Sequence, residues 1–187
     1  MTTYKRLPII LIGTLLLTLS SSSAIASNSS FDLAFEQMLR GIDTVPTRQA
    51  MEKRWPDIVE RLVSAGNETN RDNYTRSRAI SLLSFFADDN KVRPSLEKLL
   101  EDKKTRIRGI AVYTLARTFG DPGDKRLVDT IEVSVRDNAR EVRNHAVRSL
   151  RWVRHTNAVQ TLKRIAKQAP EKTLRTLATR TLEKRRF

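Results

Sequence analysis

The stretch Val142-Arg143-Asn144-His145-Ala146-Val147-Arg148-Ser149-Leu150 contains an apolar residue, then arginine, an alanine three positions on and a leucine four beyond that. The same pattern occurs at Thr75-Arg76 with Ala79 and Leu83, at Ile107-Arg108 with Ala111 and Leu115, and at Leu174-Arg175 with Ala178 and Leu182. Successive alanines stand 32, 35 and 32 residues apart. Residues at i, i+4 and i+8 project from one face of a helix, where a central alanine lets a neighbouring helix approach closely. Second apolar stripes lie between the copies: Leu96, Leu99 and Leu100, then Leu127, Val128 and Ile131, then Val159, Leu162 and Ile165. Each unit is therefore expected to be two helices, and no single pair can bury its apolar face alone.

The rest of the chain agrees. From Phe31 onward apolar residues recur at three- and four-residue intervals with no sustained alternation, which predicts an all-α protein. Phe31, Phe35, Met38 and Leu39 share one helical face that ends at Gly41. Pro46, Pro56 and Pro94 fall at or near expected helix starts, and Asp121-Pro122-Gly123 is a turn signal. The predicted fold is an α-solenoid of stacked antiparallel helix pairs over residues 74–187, with an N-terminal helical cap over 27–73 and a last helix, 171–187, closing the other end.

This rhythm, with Asp102 and Asp137 each six residues ahead of a motif arginine, resembles the short HEAT-like repeats first associated with phycobilin lyases. The resemblance covers about residues 74–187 and implies a fold, not an activity. Three positions depart from it: Thr75 replaces the apolar residue of the first copy, Ala169 replaces the aspartate of the fourth, and residues 27–73 match only in helical spacing. Related solenoids that hold iron carry paired His-Glu motifs, and this chain has no His-Glu dipeptide.

The first 26 residues read as a secretory signal peptide. Lys5 and Arg6 precede an apolar run from Leu7 to Leu19, and the serines 20–23 lead to Ala24-Ile25-Ala26. The run is 13 residues long, whereas a spanning helix needs about 20. Cleavage after Ala26 is expected, leaving no transmembrane segment and placing the protein in a periplasm or outside the cell. The sequons at Asn28, Asn67 and Asn73 matter only in a eukaryotic secretory pathway.

There is no cysteine, so disulfides, thiol nucleophiles and Cys-based zinc sites are excluded. His145 and His155 lack the spacing of a ligand pair. No Gly-x-Ser-x-Gly elbow, no Ser-x-x-Lys in a suitable context and no phosphate-binding glycine loop is present. The expectation is a binding protein with no cofactor and no catalytic role, present as a monomer.

Charge points to the partner. The formal net charge is +14, or +12 once Lys5 and Arg6 are removed. Residues 31–104 hold 13 basic and 13 acidic side chains, against 20 and 8 in residues 105–187. The excess therefore lies in the C-terminal half. Arg76, Arg108, Arg143 and Arg175 recur at one repeat position, which suits structural ion pairs; Asp102 with Arg108 and Asp137 with Arg143 are the expected partners. Other arginines do not recur. At 100° per residue Arg140, Asn144, Arg148 and Arg151 fall on the face opposite Val142, Ala146 and Leu150. At the repeat position of Arg148 the four copies read Ser81, Tyr113, Arg148 and Arg180. The candidate partner-binding residues are Tyr113, Arg140, Asn144, Arg148, Arg151 and Arg180. A protein with an acidic surface is the expected partner, with a polyanion (nucleic acid, anionic glycan or lipid headgroup) as the alternative. Trp55 is expected in the core and Trp152 at its border.

Overall fold

A computed structural model describes residues 32–42 and 44–185. The chain divides into two compact units, Met1–Gln37 and Met38–Phe187. In the first, the described residues 32–37 are helical and open α1, residues 32–40. The predicted signal peptide, Phe31 and the Asn28 sequon lie outside the described residues.

In the second unit the helices are α2 (Arg48–Arg54), α3 (Ile58–Asn67), α4 (Asn73–Leu82), α5 (Val92–Leu99), α6 (Thr105–Phe119), α7 (Lys125–Val135), α8 (Arg140–Ser149), α9 (Thr156–Gln168) and α10 (Lys172–Glu183). There is no strand among the described residues. The architecture is an α-solenoid in two layers. The four motif helices, α4, α6, α8 and α10, pack side by side in chain order, and each also packs on the helix before it, α3, α5, α7 or α9. The second layer is more loosely joined. The first motif helix thus draws its companion, α3, from residues 58–67.

The alanine rule explains the tight layer. Ala79, Ala111, Ala146 and Ala178 are all fully buried, with Ile107, Val142, Leu115 and Leu150 beside them. Leu182, at the open end of the stack, is only half-buried. On α10 Thr179 and Glu183 are exposed, Thr179 at the repeat position of the buried Val147, so the last helix presents a polar surface where an internal helix would present a packing face. Trp55 is buried and Trp152 half-buried.

Helix ends follow local chemistry. Thr47 Oγ1 accepts from Ala50 N at 3.2 Å, Asp72 accepts from the amides of Tyr74 and Thr75 at 2.9 and 3.0 Å, and Asp124 from Leu127 N at 2.6 Å. His155 fills the same role for α9, its Nδ1 accepting from Asn157 N at 3.1 Å. At the Asp121-Pro122-Gly123 turn, Gly120 is essential for another reason. A β-carbon there would stand 2.3 Å from both the Ala116 and Trp152 carbonyl oxygens, where Arg154 N donates to Gly120 O.

The recurring arginines stitch successive pairs together, with a partner register different from the one expected. Arg76 Nη2 reaches Asp102 Oδ2 at 2.5 Å, Arg108 binds Asp137 through two contacts of 2.8 and 2.9 Å, and Arg143 Nη2 reaches Glu171 Oε1 at 2.6 Å. The expected side-chain pairs, Asp102 with Arg108 and Asp137 with Arg143, are therefore corrected: each arginine takes the carboxylate of the next unit. From the aspartate six residues upstream it takes the main-chain carbonyl instead, Arg108 from Asp102 O and Arg143 from Asp137 O, both at 2.9 Å. Each aspartate also anchors the turn before its own helix, its Oδ1 accepting from Lys104 N or Ala139 N at 2.8 Å, and at Asp137 the same Oδ1 accepts from Arg108 Nη2. Glu171 takes over where Ala169 replaced the aspartate. Arg175, in the last helix, keeps the carbonyl contacts, to Ala169 O at 2.6 Å and Pro170 O at 2.9 Å.

Candidate functional site

The face of α8 opposite its buried Val142 and Ala146 meets the equivalent face of α10 in an open cleft of about 350 Å³. It is lined by Arg140, Asn144 and Arg148 from α8 and by Lys172, Thr173, Thr176, Leu177 and Arg180 from α10. Four of the six residues selected from sequence, Arg140, Asn144, Arg148 and Arg180, thus come together in one place. Among the described residues no carboxylate lines the cleft. Among the described residues none of Arg140, Arg148, Lys172 and Arg180 forms an ion pair, although the neighbouring Arg143 does. All four are exposed.

The order comes from the repeat. Arg140 and Lys172 are the same position of successive motif helices, as are Asn144 and Thr176, and Arg148 and Arg180. Arg140 to Arg148, and Lys172 to Arg180, are eight residues, about 12 Å along a helix axis. Packed helices lie about 8–10 Å apart. The cations therefore stand as two pairs at opposite ends of the cleft. Arg140 and Lys172 are also the first residues of α8 and α10. A cation there faces the positive end of the helix dipole, so it weakens the helix it begins. Neither residue is explained by stability.

The other two selected residues lie elsewhere. Tyr113 is half-buried on α6, the neighbouring motif helix, and does not line the cleft. Arg151 does not continue the stripe either. The α-helix stops at Ser149, and Leu150–Trp152 form a 3-10 turn, so projection at 100° per residue fails beyond that point. Arg151 instead folds over the Trp152 ring with its guanidinium carbon 4.5 Å from the centroid. Conversely, sequence reasoning passed over Lys172, Thr173, Thr176 and Leu177, though Lys172 and Thr176 were available as the fourth-copy counterparts of Arg140 and Asn144.

His145 is not part of the cleft. It lies against α6, where a β-carbon added to Gly109 would be 3.2 Å from His145 Cδ2. Burial pushes its imidazole below the ordinary histidine range, helped by Arg148 and opposed by Glu141. Among the described residues no three His, Asp or Glu gather in a metal-holding group, and no helix is long and apolar enough to cross a membrane.

A family model described as HEAT repeats matches residues 113–183. The matched segment runs from the middle of α6 to the end of α10 and contains the whole cleft. It supports a HEAT-like repeat protein, in agreement with the packing of the motif helices. No curated protein matches the chain.

Proposed function

We propose that the protein is an exported scaffold, periplasmic or secreted, that binds an acidic surface of a partner protein at the cleft between α8 and α10. The observation that carries this reading is the set of four exposed cations around one cleft with no carboxylate among its described lining residues. HEAT repeats commonly serve as protein-interaction scaffolds, and a stacked array holds such side chains at fixed intervals. Export rests on residues 1–26, the cap on residues 27–73, and a monomer on the polar outer side of α10.

The arginines divide into two sets that a single comparison separates. Arg148→Glu with Arg180→Glu should leave folding nearly unchanged and abolish partner capture, because both side chains are exposed and unpaired among the described residues. Arg76→Glu with Arg108→Glu should lower the melting temperature. Binding is to be measured at two salt concentrations against stoichiometric partners recovered from the native envelope and against polyglutamate. Wild-type binding by the Arg148/Arg180 variant would overturn the assignment of the cleft. A preference for nucleic acid or an anionic glycan over polyglutamate would favour the polyanion reading, with affinity falling steeply in salt. Export has its own test: the intact mass of the natively expressed chain should correspond to cleavage after Ala26. A mature chain retaining Leu7 to Leu19 would show an anchor.

A further inference from the structure

The cleft is more specific than a positive patch. Its cations form two pairs, Arg140 with Lys172 and Arg148 with Arg180, about 12 Å apart along the helices. Between them the lining is uncharged: Asn144, Thr173, Thr176 and the half-buried Leu177. A ligand that satisfies the whole cleft therefore carries anionic groups at both ends and an uncharged, partly apolar middle. In an extended peptide the side chains at i, i+2 and i+4 share a face, and i to i+4 spans about 13 Å. We infer that the cleft receives an extended segment of the partner lying along α8 and α10, with acidic residues at i and i+4 and an apolar residue at i+2 against Leu177. This rests on the reading of the cleft as a site for an acidic protein and adds the partner's conformation and spacing.

The chemistry of each part fits. Arginine donates paired N–H groups to a carboxylate, and such charge-assisted contacts are stronger than neutral ones. The Asn144 amide both donates and accepts, and can therefore serve the main chain of an extended segment, whose carbonyls and amides are otherwise unpaired. Charge complementarity selects carboxylates. The uncharged middle disfavours a ligand with an anion at every step, such as a nucleic acid backbone.

The test uses the natively processed protein and two fluorescent peptides of identical composition. One places Glu at i and i+4 with Leu at i+2; the other places the two Glu side by side and moves the Leu to an end. A single-stranded oligonucleotide is the third probe. Anisotropy should show the spaced peptide binding about tenfold more tightly than the clustered one, the scale of one charge-assisted contact. The difference should vanish in Arg148→Glu with Arg180→Glu. Leu177→Asn should remove the advantage of a central Leu, with melting temperature as a check on folding; replacing the central Leu by Asn in the peptide repeats that comparison on the unaltered protein. Equal binding of both peptides that still depends on Arg148 and Arg180 would overturn the spacing and leave the acidic-partner reading standing. Binding of the oligonucleotide alone would overturn both.

Discussion

Arg76 on α4 and Arg148 on α8 are the same amino acid on two motif helices, and their surroundings give them opposite roles. Arg76 is 1 % exposed, donating through Nε to Gly66 O at 3.0 Å and through Nη2 to Asp102. Removing one member of a buried pair leaves the other charge desolvated and unpaired. Arg76→Ala should therefore cost about 3–5 kcal/mol. Arg148 is exposed with no ion pair among the described residues, so Arg148→Ala should change stability by less than about 0.5 kcal/mol. Denaturant titration of the two variants checks this, and a reversed order would refute the division. Arg108 belongs with Arg76. Its pair with Asp137 leaves the two side chains 12 % and 13 % exposed, and the guanidinium holds the Asp137 carboxyl below the ordinary aspartate range, with burial opposing. Sequence could identify these arginines as structural because they recur, but it could not give their partners. Which way an aspartate's two oxygens turn is settled by the loop, where the amides of Lys104 and Ala139 claim one of them.

At the scale of the helix, the alanine rule makes a direct prediction. Ala146 is fully buried where α8 meets its neighbours, and Ala146→Phe must force the adjoining helices apart. The expected loss is about 1–3 kcal/mol, the usual cost of overpacking. Ser81, which is only half-buried at its own repeat position, should accept the same change at little cost. Equal melting temperatures for wild type and Ala146→Phe would refute the face assignment. The helix starts give a prediction of opposite sign. Arg140 and Lys172 face the positive ends of α8 and α10, so Arg140→Glu and Lys172→Glu should each stabilise by about 0.3–1 kcal/mol while weakening partner binding. A purely solvated face would show the first effect without the second. The apolar period fixed the helices and their buried sides in advance because packing repeats with the sequence. The end of α8 was not legible: Leu150 keeps its place in the core through a 3-10 turn, and that change of pitch carries Arg151 away from the cleft and onto Trp152. Lys172 and Thr176 are legible in the sequence only as the fourth-copy counterparts of Arg140 and Asn144, each 32 residues further on, since neither stands out by type on a helix rich in threonine and basic residues.

Across the whole molecule, carboxylates at the junctions between successive helix pairs make acid the natural denaturant. Asp137 is lowered by Arg108, and Asp124 by Arg93 of the preceding pair, whose Nη1 lies 2.8 Å from it. Burial pushes Asp102 up, but its bonds from Arg76 and Lys104 N outweigh that, and it too lies below the ordinary range. A carboxyl lowered in the folded state contributes stability that is fully present above its unfolded pKa, about 3.9, and is lost as pH falls through the folded value. His145 adds an earlier step. Burial lowers its folded pKa, so the neutral ring contributes stability that is complete above the unfolded value of about 6.5 and declines as pH drops below it. The melting temperature should therefore begin to fall slightly below about pH 6.5 and then steeply below about pH 4. His145→Gln should remove the first decline and leave the second. Asp137→Asn should already lower stability at neutral pH and flatten the second decline, since its contribution can no longer be titrated away. Because stability in a stacked array is a sum of neighbour terms, loss of one junction should broaden the acid transition instead of shifting it as a whole. Circular dichroism melts from pH 3 to pH 8 provide the measurement. A melting temperature constant across that range in the wild type would show that the arginine–carboxylate junctions do not hold the stack together.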